Sequence, residues 1–75
     1  MAEVKGMGQV ESAQAATDIA VEFVKRHYLI AQPKSAKREN GVWAVSIDVG
    51  ALVVKIATVK ISAETGEIEE YDIPS

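Results

Sequence analysis

Seventy-five residues bound the chain to one domain, a size at which a small body buries little of its surface and stability is marginal. With no cysteine there is no disulfide, no thiolate nucleophile and no thiolate metal ligand, and a reducing cytoplasm is the natural compartment. A net charge of -3 argues against a general nucleic-acid binder, which needs a basic face, and 48% hydrophobic residues are too many for a disordered tail.

Residues 1–10 contain Gly6 and Gly8 and show no sustained period. They read as a flexible N-terminal arm on a single domain of residues 11–75. The start has no long apolar stretch followed by a small-residue cleavage site, so no signal peptide is expected. The longest apolar run, "GALVV" from Gly50, is too short to span a bilayer. The expectation is a soluble intracellular protein with no membrane insertion.

The stretch "ESAQAATDIAVEFVKRHY" predicts a helix near residues 12–29. At 100° per residue Ala16, Ala20, Phe23 and His27 form one stripe, flanked by Ile19 and Val24. Ser12 is placed to cap the start, although Ala15 stands where a capping box wants Glu or Gln. Lys25, Arg26 and His27 are expected in the last turn, where positive charge suits the helix dipole, and Pro33 bars continuation.

Beyond it the period changes to two. Strands are expected near 32–39, 42–49, 52–61 and 67–73, in meander order. Asn40-Gly41 is a two-residue hairpin signal, because both positions tolerate positive φ, and it sets Arg38 against Trp43 and Glu39 against Val42. Trp43, Val45, Ile47 and Val49 then share one face. A tight turn at Gly50-Ala51 would set Ile47 against Val54 and Val45 against Ile56. The alternation slips afterwards, and a bulge near Ala57 is needed to bring Val59 and Ile61 back to the core. "SAETGE" is a turn with Gly66 as its left-handed residue, and "EIEEYDI" closes the sheet as an edge strand. Its carboxylates are read as solvated turn and edge residues. The architecture is α+β: one helix packed on a four-stranded antiparallel meander, in two layers.

One helix covers one face of such a sheet. On the tight-turn register the open face carries Val42, Ala44, Val53 and Ala57, with Lys55 beside Ser46 and Asp48. These residues are the candidate partner-binding surface, for a protein, a peptide or a weak homodimer. The second candidate is a small-ligand or catalytic pocket between helix and sheet, with His27 as a base and Trp43 as a wall.

Dedicated chemistry is hard to find in these residues. A single histidine without cysteine does not make a zinc site. There is no G-x-S-x-G elbow, "GMG" lacks a following Walker lysine, and "SAETGE" has too few ligands for a calcium loop. "KSAKR" at 34–38 reads as one solvated strand face and no nucleic-acid site. No catalytic, cofactor or metal residue is expected, and the function expected is that of a non-catalytic accessory module.

Two family likenesses attach to particular residues. Trp43 early in a strand and the hairpin Ser62, Ala63, Glu64, Thr65, Gly66, Glu67, Ile68 resemble the PepSY-type module, whose frequent aspartate is Ser62 here. Gly41, Val42, Trp43, Val45 and Ile47, followed by Val59, Ile61, Gly66, Glu67, Ile68 and Tyr71, are similar to the closing part of gas vesicle protein O. This chain has an extra residue between glycine and tryptophan and lacks the longer connector and basic tail usual there. Both likenesses imply a non-catalytic module that contacts other proteins.

Overall fold

A computed structural model describes residues 9–74. It contains α1 (Ala13–Val24), β1 (Gln32–Glu39), β2 (Val42–Asp48), β3 (Ile56–Ser62) and β4 (Ile68–Asp72). The four strands form one antiparallel sheet in the order β1-β2-β3-β4, and α1 lies across one face.

The helix starts as its cap dictates. Ser12 is extended and its Oγ accepts from the Ala15 N–H at 3.1 Å. It ends earlier than the spacing suggests. Lys25 is the C-cap, and the Arg26 and His27 N–H groups bond back three residues to Phe23 and Val24. The three basic residues therefore follow the helix instead of filling its last turn. Ala16, Ala20 and Val24 are fully buried, Phe23 is half-buried and His27 is exposed. The buried stripe runs at i, i+4, i+8, and its two alanines let the helix backbone approach the sheet closely.

Asn40 at φ 51° and Gly41 at φ 76° close the first hairpin, with Arg38 opposite Trp43 and Glu39 opposite Val42. Trp43, Val45, Ile47 and Val49 face the helix. The next connection departs from the tight turn. Residues 49–55 form a loop, and Ile47 pairs with Ala57 instead of Val54, three residues further along. An odd shift exchanges the two faces of a strand. Ala57, Val59 and Ile61 are accordingly buried, while Val54 and Ile56 are exposed. No bulge is needed in β3, whose pairing with β2 runs unbroken from Ile56 to Ser62.

Bulges occur in the two edge strands instead. In β1 Lys34 is left over between Pro33, opposite Ile47, and Ser35, opposite Ser46. In β4 Glu69 is left over between Ile68, opposite Ile61, and Glu70, opposite Lys60. The second bulge resolves the slipped phase of the closing strand, since it returns both Ile68 and Tyr71 to the helix side. The "SAETGE" turn is held by Ser62, whose Oγ accepts from the Glu64 and Thr65 N–H groups, with Gly66 at φ 81°. Glu64, Glu67, Glu69, Glu70 and Asp72 are all exposed.

Val10 belongs to the folded unit. Val10 is 3% exposed, its N–H donates to the Ala63 carbonyl at 2.7 Å, and its carbonyl accepts from Trp43 Nε1 at 2.8 Å. Val10, expected in the arm of residues 1–10, is thus part of the packed domain, and residues 1–8 lie outside the described residues. Among the described residues no helix is long and apolar enough to cross a membrane.

Candidate functional site

The pocket expected around His27 and Trp43 does not form. Trp43 is buried at the end of the molecule where β2 begins, and its indole N–H is spent on the Val10 carbonyl, just before the start of α1. His27 lies past the other end of a helix about 18 Å long. It is exposed, its ring edge-on to Phe23 at 6.0 Å between centroids. The two side chains cannot act on one small molecule.

The expected open-face surface is also redistributed. Val42 and Ala44 lie on that face and are half-buried. Ala57 belongs to the core beneath the helix, because the three-residue shift turns it over. Val53 and Lys55 leave the sheet altogether and sit in the 49–55 loop. The residues beside Val42 and Ala44 are Lys37 and Glu39 from β1 and Lys60 and Ser62 from β3, so the face is mostly polar. The basic run is split as well: Lys37 pairs with Ala44 on the open face, while Arg38 pairs with Trp43 on the helix side and lies 5.9 Å from its ring centroid.

Two other surfaces emerge from the fold. The first is a groove between α1 and β4. The helix crosses β1, β2 and β3, so β4 overhangs its flank. Ala15, Ile19 and Phe23 line it from the helix and Gly66 and Ile68 from the side of β4, with polar Gln14 and Asp18 between them on the helix. Tyr71 packs against Phe23, its ring tilted at 55° with centroids 4.9 Å apart. Tyr71 is 58% exposed, so the aromatic pair is packed on one side and open on the other. Glu22 and Arg26 stand on the rim. The β4 bulge at Glu69 makes this groove, since without it Ile68 and Tyr71 would point to opposite faces. The slipped spacing of Ile68 and Tyr71 was its signal in the sequence.

The second is the loop at the opposite end from Trp43. Asp48 Oδ1 accepts from the Gly50 N–H at 2.9 Å and the Lys55 N–H at 3.2 Å, and the Val49 N–H donates to the Lys55 carbonyl at 2.8 Å. The two N–H groups hold the Asp48 carboxyl below its ordinary value; Lys34 adds a smaller pull in the same direction, against the opposing effect of burial. Gly50 packs against the Val53 carbonyl with no room for a side chain. The loop is therefore braced. Its apolar residues nevertheless face outward, and Tyr28 from the segment after α1 lines a hollow with them.

The residues capable of chemistry are largely committed to structure. Ser12 Oγ and Ser62 Oγ hold a cap and a turn, and Thr65 Oγ1 accepts from the Glu67 N–H. Among the described residues no three of His, Asp and Glu are grouped so as to hold a metal ion. No family model, no curated protein and no solved structure matches the chain.

Proposed function

We propose that this protein is a non-catalytic interaction module that takes a peptide segment of another protein in the groove between α1 and β4. The observation that carries the reading is the half-open Phe23–Tyr71 pair beside a groove of mixed polar and apolar lining. Aromatic side chains supply large contact area at low entropic cost and are enriched in interface cores. Ile19 and Ile68 continue the apolar floor, and Glu22 and Arg26 offer polar partners at the rim. The ligand class is a short segment bringing one bulky apolar side chain to Tyr71.

This reading moves the contact away from the open face and the strand edges. The open face presents lysine, glutamate and hydroxyl groups around Val42, Ala44 and, at its edge by the loop, Ile56, so self-association through it has little contiguous apolar area to draw on. The bulges at Lys34 and Glu69 interrupt both edges, a common means of preventing strand addition. The separation of His27 from Trp43 and the structural use of the hydroxyls favour a module over an enzyme. The likeness to PepSY-type modules points the same way. A cytoplasmic location belongs to the same proposal and rests on the cysteine-free composition.

The test is selection of binding peptides from a displayed library, followed by amide-shift mapping on the protein. Saturable shifts at Ile19, Phe23, Ile68 and Tyr71, lost in Tyr71→Ala, are expected. Shifts confined to Ala44, Thr58 and Lys60 would place the site on the open face and overturn the groove.

A further inference from the structure

The braced loop carries a second surface, independent of the groove. Leu52 is 98% exposed, Val53 63% and Val54 70%. Leu29, which follows Tyr28 directly, is fully exposed at the same end of the molecule. Single exposed aliphatic residues are ordinary, but a contiguous group marks a contact surface. Connecting loops are normally polar. Here "ALVV" is presented outward by a loop whose backbone is held by Asp48 and by the close approach of Gly50 to Val53.

Three lysines lie around this tip. Lys25 follows the end of α1, Lys34 lies close enough to act on Asp48, and Lys55 closes the loop, while Arg26 lines the groove beside Glu22. The α1 C-terminus adds the negative end of its dipole, which these cations offset. Among the described residues the carboxylates at this end are Asp48, turned onto two backbone N–H groups, and Asp72 of β4, opposite Thr58; Glu22, in the last turn of α1, faces the groove beside Arg26. Glu11, Glu39, Glu64 and Glu67 lie at the far end, around the Asn40-Gly41 turn and the Ser62–Glu67 turn, together with Lys37 and Arg38 of β1. Among the described residues the apolar end thus carries three lysines against two carboxylates, one of them held by backbone N–H groups, and the far end carries four carboxylates against two cations.

The chemistry of the tip distinguishes between partners. Protein interfaces are enriched in aromatic residues and depleted in lysine, whereas this tip is aliphatic and ringed by lysine. Side chains standing out this far need a deep socket in a protein, but a layer of lipid headgroups deforms around them. Burial of aliphatic side chains at the headgroup boundary and attraction of lysine and arginine to anionic lipid are the two components of peripheral membrane binding.

We infer that the tip docks the protein on an anionic membrane surface. Leu29, Leu52 and Val53 enter the headgroup boundary, and Lys25, Lys34 and Lys55 lie over the negatively charged headgroups. The contact is peripheral and involves no spanning segment. The acidic end is held away from the membrane by the same field that orients the tip. The α1–β4 groove lies along the side of the molecule and stays open to a peptide.

Vesicle flotation of the full chain tests this, with phosphatidylcholine alone and with phosphatidylcholine and phosphatidylglycerol in equal parts. The protein is expected to float with the anionic vesicles only, and to be released as salt is raised. Leu52→Asp and Val53→Asp should abolish flotation. Lys55→Glu and Lys25→Glu should each weaken it at least about fivefold, since each basic residue near such a surface is worth roughly that factor. All four side chains are exposed, so circular dichroism of the variants should match wild type. None of the four should change peptide binding in the groove, which separates failure of this inference from failure of the groove. The inference is overturned if wild type stays unbound, if it floats equally with neutral vesicles, or if Leu52→Asp floats as well as wild type. Amide shifts at the tip with polyglutamate but no flotation would also overturn it, and would assign the patch to an acidic protein.

Discussion

Replacing Ile61 by alanine tests the register on which every surface above depends. Ile61 is fully buried, opposite Trp43 in β2 and Ile68 in β4. Alanine removes three carbon atoms. At about 0.8 kcal/mol for each buried methylene the lost transfer energy is about 2.4 kcal/mol. The cavity left among rigid sheet neighbours adds to it, so the total should fall within about 2–5 kcal/mol. Val54→Ala is the control. Val54 is 70% exposed, and its truncation should change stability by less than about 0.5 kcal/mol. A domain of this length has about 4–11 kcal/mol of total stability, so the first loss is a large part of the whole. Urea unfolding followed by far-UV circular dichroism is the assay. With a slope of about 1 kcal/mol per molar, the midpoint of Ile61→Ala should fall by about 2 M or more. Trp43 emission is a poorer probe, because its own surroundings change with Ile61. If Val54→Ala proves the costlier substitution, the tight-turn register is correct and Ile61 lies on the open face.

Gly50→Ala should destabilise the protein by about 1–3 kcal/mol, because the new Cβ meets the Val53 backbone carbonyl, which cannot swing aside as a flexible side chain can. Thermal unfolding measures this, and an unchanged midpoint would show that the loop is not braced as described. Trp43→Phe should cost about 1–3 kcal/mol by leaving the buried Val10 carbonyl without its donor, and hydrogen exchange at the Val10 N–H should accelerate more than exchange in β3. Asp48 has a lowered carboxyl pKa in the folded protein, so its contribution is complete above the ordinary aspartate value of about 4 and is lost as pH falls through the lower folded value. Asp48→Asn should therefore reduce stability near neutral pH and flatten its decline below about pH 4, as read from midpoints across an acid series.

Local grammar decided the element types, their order and one register. Ser12 predicted its own cap, and Asn40-Gly41 specified a turn with two positive φ angles, from which the pairing of Arg38 with Trp43 followed. Period-two alternation correctly assigned Trp43, Val45, Ile47 and Val49 to the core face. These features are legible because each depends on neighbours in sequence. The β2–β3 register is different in kind. Alternation is equally satisfied with Val54 and Ile56 inside or with Ala57, Val59 and Ile61 inside, so the pattern alone does not choose. The choice depends on Asp48 capturing the Gly50 and Lys55 N–H groups and on Gly50 admitting the Val53 carbonyl. Those contacts exist only once the chain has folded back on itself. That single choice moved Ala57 into the core and Val53 to the tip. The groove was half visible in the same way: the slipped spacing of Ile68 and Tyr71 announced an irregularity, but its meaning required Glu69 to be squeezed out of the ladder and Phe23 to be waiting across the helix. His27 followed the helical stripe in sequence yet lies outside the helix, because the chain must turn after Val24 to deliver Gln32 to the sheet and Tyr28 to its hydrogen bond with the Pro74 carbonyl.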